Sequence, residues 1–409
     1  MDYAILTFGC RVNQADSMEI ERELRQRGGR AVAASQADLI VVNSCSVTAT
    51  ADQGTRQAVR RAARENPAAR IVVTGCYATR CPDELAELPG IVAIVPNGRK
   101  DRLVAEVVTT AERYAGAEGP CGAPFLLDRT ALTIRVQTGC EEHCSYCIIP
   151  TTRGASRSKP RAQIVAELAR AQSSGFLDVT LTGVHIGAYG RDLDPAATLA
   201  DLLDAAVENT EHVLIRLGSL EPMDAPRSLV RLASTGRLAP AFHLPLQHAS
   251  DQVLARMRRP YTVDDYRRTV DWIRNQLPHA AIGSDIIVGF PGESEAEFDA
   301  LCRYLESSPL TTLHVFPYSD RPGTEASRMA RKVEGSVTRE RGRVVREIGQ
   351  SLTTRFKRSQ VGSVRPALTI EDGSAVVTDN GLRLRLREPH ARNQRVSVRI
   401  GEHDLATRS

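Results

Sequence analysis

No stretch of this 409-residue chain approaches the roughly 20 consecutive apolar residues that a membrane-spanning helix needs, so a helical membrane protein is excluded. The first residues, Met1-Asp2-Tyr3-Ala4, lack a basic segment followed by an apolar one, so no secretory leader is expected and the setting is read as cytoplasmic. Compositional extremes are missing as well. Hydrophobic residues make up 42% and charged residues 25%, which excludes a wholly disordered or fibrous chain. At roughly 100–200 residues per domain, the length predicts two to four domains. A reducing compartment argues against a disulfide framework, so the nine cysteines are read as metal ligands or redox groups.

The excess of positive charge is small and unevenly placed. The net charge is +4, yet residues 351–409 hold eleven Lys/Arg and six Asp/Glu, a net of +5. The 350 residues before them therefore sum to −1. A basic terminal module on a neutral body suits a polyanion such as nucleic acid. A merely solvated arginine-rich tail is the competing reading.

The first hundred residues repeat one unit three times: a strand-like apolar run, a cysteine, then a polar helical stretch. The runs are Tyr3–Phe8 before Cys10, Leu39–Val42 before Cys45 and Ile71–Val73 before Cys76. Helical spacing covers Gln14–Gly28 and Thr50–Asn66, with Gly28-Gly29 as a stop. Alternating strands and helices predict a doubly wound parallel sheet, in which ligands bind beyond the carboxyl ends of the strands. All three cysteines fall there.

Small, polar residues over 111–130 read as a linker. Six further strand candidates follow: Leu132–Val136, Val179–Thr182, Val213–Leu217, Phe242–Leu246, Ile282–Val288 and Leu313–Pro317. Separated by helical stretches, they predict a large α/β domain, an open sheet or an incomplete barrel. A charged helix is expected over Val337–Arg358. Beyond it, Asp372-Gly373 and Asn380-Gly381 are hairpin turns, and Leu382-Arg383-Leu384-Arg385-Leu386-Arg387 alternates with period two. One face is leucine and the other arginine, which predicts a small antiparallel β-barrel with a basic surface. The expected division is 1–110, linker 111–130, 131–350 and 351–409.

Cys140, Cys144 and Cys147 form C-x3-C-x2-C after a strand candidate. Three thiolates so close repel unless a metal centre neutralises them. Structural zinc takes four protein ligands, and no fourth cysteine or histidine stands at zinc spacing, although His143 lies within the loop. A [4Fe–4S] cluster on three cysteines keeps one iron open, whereas electron-carrying clusters are typically held by four. Zinc or coincidence is the competing reading.

At these residues the chain resembles the radical S-adenosylmethionine (SAM) superfamily. The resemblance implies a cluster on Cys140, Cys144 and Cys147 whose open iron chelates SAM, and an incomplete six-stranded barrel. It places Tyr146 near the SAM adenine. Cys10, Cys45 and Cys76 taken singly read equally well as buried core thiols. Their settings, Thr7-Phe8-Gly9-Cys10-Arg11-Val12-Asn13-Gln14, Val42-Asn43-Ser44-Cys45-Ser46-Val47 and Val73-Thr74-Gly75-Cys76-Tyr77-Ala78, resemble the methylthiotransferase N-terminal domain. That resemblance implies a second [4Fe–4S] cluster, again with one open iron, and a TRAM-like RNA-binding module at the C-terminus. Three segments match the branch acting on threonylcarbamoyladenosine in tRNA: Gly139–Pro150, Leu181–Gly190 and His314–Ser319.

The implied activity is insertion of a methylthio group at carbon 2 of that adenosine, 3′ of the anticodon, with two SAM molecules and two [4Fe–4S] clusters. The implied partners are the tRNA anticodon stem-loop, an electron donor such as flavodoxin or ferredoxin, and a sulfur source, with no membrane. Gly183, Glu221 and Gln247, at or past strand ends, are candidate SAM-pocket residues; Arg383, Arg385 and Arg387 are candidate RNA contacts. Gln247-His248-Ala249-Ser250 departs from the expected Gln-Ser-Gly-Ser run and adds bulk near the SAM pocket. Gly289-Phe290-Pro291-Gly292-Glu293 is read either as a SAM contact or as a plain turn. Cys81, Cys121 and Cys302 are read as ordinary thiols, and Asp16 and Glu19 as helix-dipole residues. The alternatives are an isopentenyladenosine methylthiotransferase, one acting on a ribosomal-protein aspartate, and a non-catalytic iron–sulfur RNA-binding sensor.

Overall fold

The computed structural model describes residues 1–108 and 130–403. The 111–130 linker expectation and Cys121 fall largely or wholly outside them. The described chain forms two compact units, one of residues 1–108, 138–157 and 319–327, the other of 130–137, 158–318 and 328–403.

In the first unit, β1 (Asp2–Thr7), β2 (Arg30–Ala31), β3 (Leu39–Ser44), β4 (Arg70–Gly75) and β5 (Ile91–Pro96) form an all-parallel sheet in the order β2-β1-β3-β4-β5. The sheet is buried on both faces because successive side chains of β3 alternate sides. Ile40 and Val42 pack with Val59 and Ala62 of the helix Ala49–Glu65. Leu39 and Val41 pack with Ile20 and Leu24 of the helix Arg11–Gln26. Strand order reverses between β1 and β3, the switch point at which doubly wound sheets bind ligands.

In the second unit, β6 (Ala131–Arg135), β9 (Asp178–Thr182) and β10 (Leu214–Leu217) form one parallel ladder, and β11 (Ala241–His243), β12 (Ala281–Val288) and β13 (Thr312–Pro317) another. Short strands β7 (Gln137–Thr138) and β8 (Arg157–Ser158) flank the Cys140–Cys147 loop in sequence. The bridges Ile215–Leu238 and Ser219–His243 join the two ladders into an arc of six parallel strands. All six strand expectations are met within a few residues. Helices cover one face, where Ile282 and Ile286 join the core with Leu202 and Leu301. On the other face of β12, Gly283 and Asp285 stay half-buried.

After the helix Gly335–Gln360, β14 (Val364–Ile370), β15 (Ala375–Thr378), β16 (Arg383–Arg385) and β17 (Arg395–Arg399) form an antiparallel sheet in the order β16-β15-β14-β17. Leu382 and Leu384 are buried while Arg383, Arg385 and Arg387 are exposed, as the alternation predicts. This sheet docks on segments leading into or near the starts of the barrel strands. Arg216 donates to the carbonyls of Thr378 (3.1 Å) and Asp379 (3.0 Å), and Asn380 donates to the carbonyl of His279 (2.9 Å). The opposite, carboxyl ends of the strands are thus left to the residues expected to bind ligands.

Gly139 immediately precedes the C-x3-C-x2-C loop. Its φ is +74°, and a Cβ there would lie 1.9 Å from the carbonyl oxygen of Ala155. Gly139→Ala adds about 1–2 kcal/mol of left-handed strain before that clash is counted. We expect a lower denaturation midpoint for this variant in chemical unfolding.

Candidate metal centres and ligand site

Each N-terminal cysteine stands where its strand hands over to the next segment. Cys10 is the N-cap of the helix Arg11–Gln26 and is exposed; Cys45 directly follows β3; Cys76 opens the helix Cys76–Arg80. Cys10 and Cys45 therefore flank the switch point, and Cys45 and Cys76 are buried. The flanking glycines make room for them. At Gly9 (φ +88°) a Cβ would stand 2.4 Å from the Cys45 sulfur, and at Gly75 (φ +99°) 2.2 Å from the Ser44 carbonyl oxygen. The two asparagines of the motifs lace the loops together. Asn13 Nδ2 donates to the carbonyls of Phe8 and Ser44 (both 2.8 Å), and Asn43 Nδ2 donates to the carbonyl of Asn13 (2.8 Å).

The electrostatics around the trio are uneven. Burial pushes the Cys45 thiol up to about 11; the Val47 backbone N–H opposes this, while Cys10, Cys76 and Asp52 add to it. Beside the thiols stand buried cations in excess of carboxylates. Asp16, 2% exposed, accepts from Lys100 Nζ (2.8 Å) and Arg153 Nη2 (3.1 Å), themselves 5% and 6% exposed. On the Cys45 side, Asp52 accepts from Arg80 (2.5 Å) and Arg321 (2.8 Å), and Ser46 Oγ donates to it (2.8 Å). Sequence reading assigned Asp16 to the helix dipole. The structure corrects this, because Asp16 lies beyond the first turn and is the shared acceptor of two buried cations. Its partners are 84 and 137 residues away, a separation no local pattern reveals.

The C-x3-C-x2-C loop belongs to the same compact unit. Cys140, Cys144 and Cys147 are half-buried, the Cys147 N–H bonds the Cys144 carbonyl (3.0 Å), and the Cys140 N–H bonds the Gly154 carbonyl (3.1 Å). Ala326 N donates to the Ser145 carbonyl (2.7 Å), pinning the segment between the second and third cysteines. Tyr146 is half-buried. Two ligands of one zinc, at about 2.3 Å from the metal, stand no more than about 4.6 Å apart. Among the described residues, the trio of Cys, His, Asp or Glu whose ligating atoms all lie within 4.8 Å is His243, Asp285 and His314. Neither cysteine trio is among the groups that close so far. The buried cations beside the N-terminal trio fit a group with residual negative charge.

In the second unit, Gly183 follows β9, Glu221 lies shortly after β10 and Gln247 shortly after β11. Glu221 is ion-paired to Arg259; burial raises its pKa, and Arg259 and His185 oppose the rise. Gln247 takes φ +66°, and its N–H and carbonyl bridge to Asp285 O and Ile287 N (both 2.8 Å). His248, the departure from the expected run, is fully buried. Its Nδ1 accepts from Ser250 N (3.1 Å), its Nε2 has no hydrogen-bond partner, and burial holds its pKa down to about 3, so the ring is neutral. The 289–293 turn supplies its own partner, because Glu293 accepts from the N–H groups of Gly289 (2.6 Å) and Phe290 (3.0 Å) and from Arg341 (2.8 Å). That favours the plain-turn reading.

Sequence reading missed the His243, Asp285 and His314 cluster, which neighbouring strands bring together. The Asp285 carboxylate meets His243 Nε2 at 2.9 Å and His314 Nδ1 at 3.3 Å, and the imidazoles stack at 4.9 Å. Burial raises the Asp285 pKa, but the two histidines more than offset this and hold it at about 2. Pairing in the register Asp285–His314 and His243–Gly283 was the available signal.

Comparison with known proteins agrees with this layout. The family model described as uncharacterized protein family UPF0004 matches residues 2–96, and that of the radical SAM superfamily matches 134–305. The threonylcarbamoyladenosine tRNA methylthiotransferase MtaB of Aquifex aeolicus is 35% identical over 393 residues, 93% of this chain and 95% of the relative. That of Bacillus subtilis is 34% identical, covering 83% and 78%. The chain belongs to the radical SAM methylthiotransferase family. A tRNA-2-methylthio-N(6)-dimethylallyladenosine synthase from Parafrankia, within the same family, is 31% identical over 91% of the chain and 78% of the relative. The radical SAM methyltransferase TsrM from Kitasatospora setae shares the fold, with a TM-score of 0.54 at 16% identity over 80% of this chain and 76% of that one.

In the cluster-free methylthiotransferase the N-terminal thiols differ in access. Cys10 is exposed, whereas Cys45 is 3% exposed with its thiol held protonated. Timed alkylation followed by peptide mass spectrometry is expected to label Cys10 first and Cys45 at least tenfold more slowly at pH 8, because the thiolate is the reacting form. Equal rates overturn this account of the trio.

Proposed function

We propose that the chain is a tRNA threonylcarbamoyladenosine methylthiotransferase that places a methylthio group on carbon 2 of the modified adenosine 3′ of the anticodon. The observation that carries the reading is a pair of three-cysteine sites within one compact unit, on a chain matched along nearly its whole length by curated relatives of that name. Cys10, Cys45 and Cys76 are proposed to hold an auxiliary [4Fe–4S] cluster, and Cys140, Cys144 and Cys147 the cluster that binds SAM. When bound, the clusters and SAM supply the electron, the radical and the sulfur and methyl groups that no amino-acid side chain provides.

The protein's own part is placement and exclusion. Gly9, Gly75 and Gly139 let backbone and sulfur atoms approach where a Cβ would intrude. Asn13 and Asn43 fix the loops that carry Cys10 and Cys45. Gly183, Glu221 and Gln247 of the second unit are proposed SAM contacts, with Glu221 oriented by Arg259, and Tyr146 is a proposed SAM contact of the first unit. A neutral His248 behind this wall adds bulk without adding a charge. Arg383, Arg385 and Arg387, on a sheet we read as a TRAM-like module, are proposed to hold tRNA phosphates, which position the RNA without reading its sequence. The target base lies in a single-stranded loop, where bases can splay out. The proposed functional division is 1–110, 131–350 and 351–409. An electron donor such as flavodoxin or ferredoxin and a sulfur source complete the proposal, in a cytoplasmic setting.

Anaerobically reconstituted protein is expected to hold about eight irons, falling to about four in the Cys10/Cys45/Cys76→Ala variant, as for two four-iron clusters. With SAM and dithionite it is expected to yield 5′-deoxyadenosine. Nucleoside analysis of tRNA from cells with and without the gene is expected to differ in the methylthio derivative of threonylcarbamoyladenosine. Loss of the isopentenyladenosine derivative instead moves the assignment to that branch. Tight tRNA binding without SAM cleavage makes the protein a sensor.

A further inference from the structure

Lys100 and Arg153 share one buried carboxylate, Asp16, and their burial leaves a positive charge that Asp16 alone does not balance. An uncompensated buried charge is costly, so a second anion is required nearby. The loops of the N-terminal trio share the same frame: Asn13, which accepts from Arg153, and Asn43, which accepts from Lys100 at 3.1 Å, are the asparagines that hold the segments carrying Cys10 and Cys45. Burial opposes the Arg153 charge, but Asp16, Cys76 and Cys10 all favour it. Cys76 likewise favours the charge on Lys100, against burial and against Arg153. Asn97 Nδ2 adds a weak donor to the Cys76 sulfur at 3.6 Å.

Arg153 also has a telling place in the chain. It ends the five-residue helix Ile149–Arg153, which starts two residues after Cys147. From there it donates to Asn13 Oδ1 (2.5 Å) and Asp16 (3.1 Å), on the helix that Cys10 caps. The neighbouring Thr152 carbonyl accepts from Asn97 Nδ2 at 2.9 Å, the same group that reaches the Cys76 sulfur. The segment leaving one cysteine trio is thus fastened to the frame of the other.

We infer that Lys100 and Arg153 are the buried counter-cations of the auxiliary cluster, raising its reduction potential, with Arg153 also fixing the C-x3-C-x2-C segment against it. This rests on the two-cluster reading above. Three thiolates leave a four-iron cluster with residual negative charge, and reduction adds one more. Cations and hydrogen-bond donors beside the sulfurs therefore stabilise the reduced form more than the oxidised one. Asp16 acts in the opposite sense. Both cations are positioning residues, since neither is placed against substrate.

The test uses the full-length chain carrying Cys140/Cys144/Cys147→Ala, so that only the auxiliary cluster contributes, read by iron and sulfide content and by an EPR-monitored redox titration. Lys100→Met and Arg153→Met are each expected to lower the reduced-to-oxidised ratio at a fixed potential at least tenfold, a midpoint shift of 59 mV or more for a one-electron couple. Arg153→Lys is expected to stay near the parent, and Asp16→Asn to shift the other way. A purely structural role does not give opposite signs. If Arg153→Met loses its iron, Lys100→Met and Asp16→Asn decide the matter by their direction. Variants that keep their iron with an unmoved midpoint, or that all shift the same way, overturn the inference and leave the two-cluster reading standing. A parent that holds no iron at all overturns both.

Discussion

Three thiolates cannot be gathered in one place without something positive among them, and around Cys10, Cys45 and Cys76 that requirement organises a large part of the first unit. Burial, with Cys10, Cys76 and Asp52 adding to it, holds the Cys45 proton on sulfur. The cluster proposed for this trio would displace that proton and spread the charge over several atoms. Around the trio stand cations brought in from separate parts of the chain: Lys100 after β5, Arg153 after the second cysteine motif, and Arg80 and Arg321 on the Cys45 side. Each cation is itself too costly to bury unpaired, hence Asp16 and Asp52, one carboxylate to each pair. The asparagines and glycines of the motifs follow from the same demand, since charged groups can be packed this closely only where backbone and side-chain donors are already satisfied.

The strand order explains why the trio lies where it does. A parallel sheet that winds both ways opens a crevice at the point of reversal, here between β1 and β3. Helix and loop starts at the carboxyl ends of the strands point backbone N–H groups toward that crevice, a favourable field for an anionic group. The barrel-like arc uses the same end of its strands for Gly183 and the residues following β10 and β11, while its opposite end is taken up by the C-terminal sheet. Both units therefore obey one rule, that parallel strands offer ligands their carboxyl ends.

This explains what was legible in the sequence and what was not. Strands such as Leu39–Ser44 announce themselves through short apolar runs, and the three-cysteine motifs through spacing, because these depend on residues a few positions apart. The alternation at Leu382–Arg387 gave the faces of β16 for the same reason. Asp16 did not announce itself. Its meaning lies in Lys100 and Arg153, and a single acidic residue in a helix looks the same whether it faces water or two buried cations. The cluster of His243, Asp285 and His314 was hidden likewise, since each residue comes from a different strand and only the register aligns them. The 289–293 turn was ambiguous because Gly and Pro mark a turn whether or not a ligand is held there. The carboxylate of Glu293 on the turn's own N–H groups accounts for the turn without a ligand.

The charge of the last 59 residues shows why a count differs from a surface. Several of those arginines are spent inside the fold. Arg365 is paired with Asp379 at 2.7 Å, Arg399 donates to the Gly362 carbonyl at 3.0 Å, and Arg395 reaches the carbonyls of Leu177 and His212 at the edge of the barrel. On the arginine face of β16, Arg383 is paired with Glu371, which reduces its field without removing its donors. Arg385 and Arg387 remain exposed beside it. The potential that would draw a polyanion is therefore narrower than the net +5 suggests. Arg395 fastens this module to the segments just before β9 and β10, whereas Arg365 and Arg399 bond within the module itself, so the exposed arginines stand on a sheet whose seat on the barrel strands is fixed by other side chains.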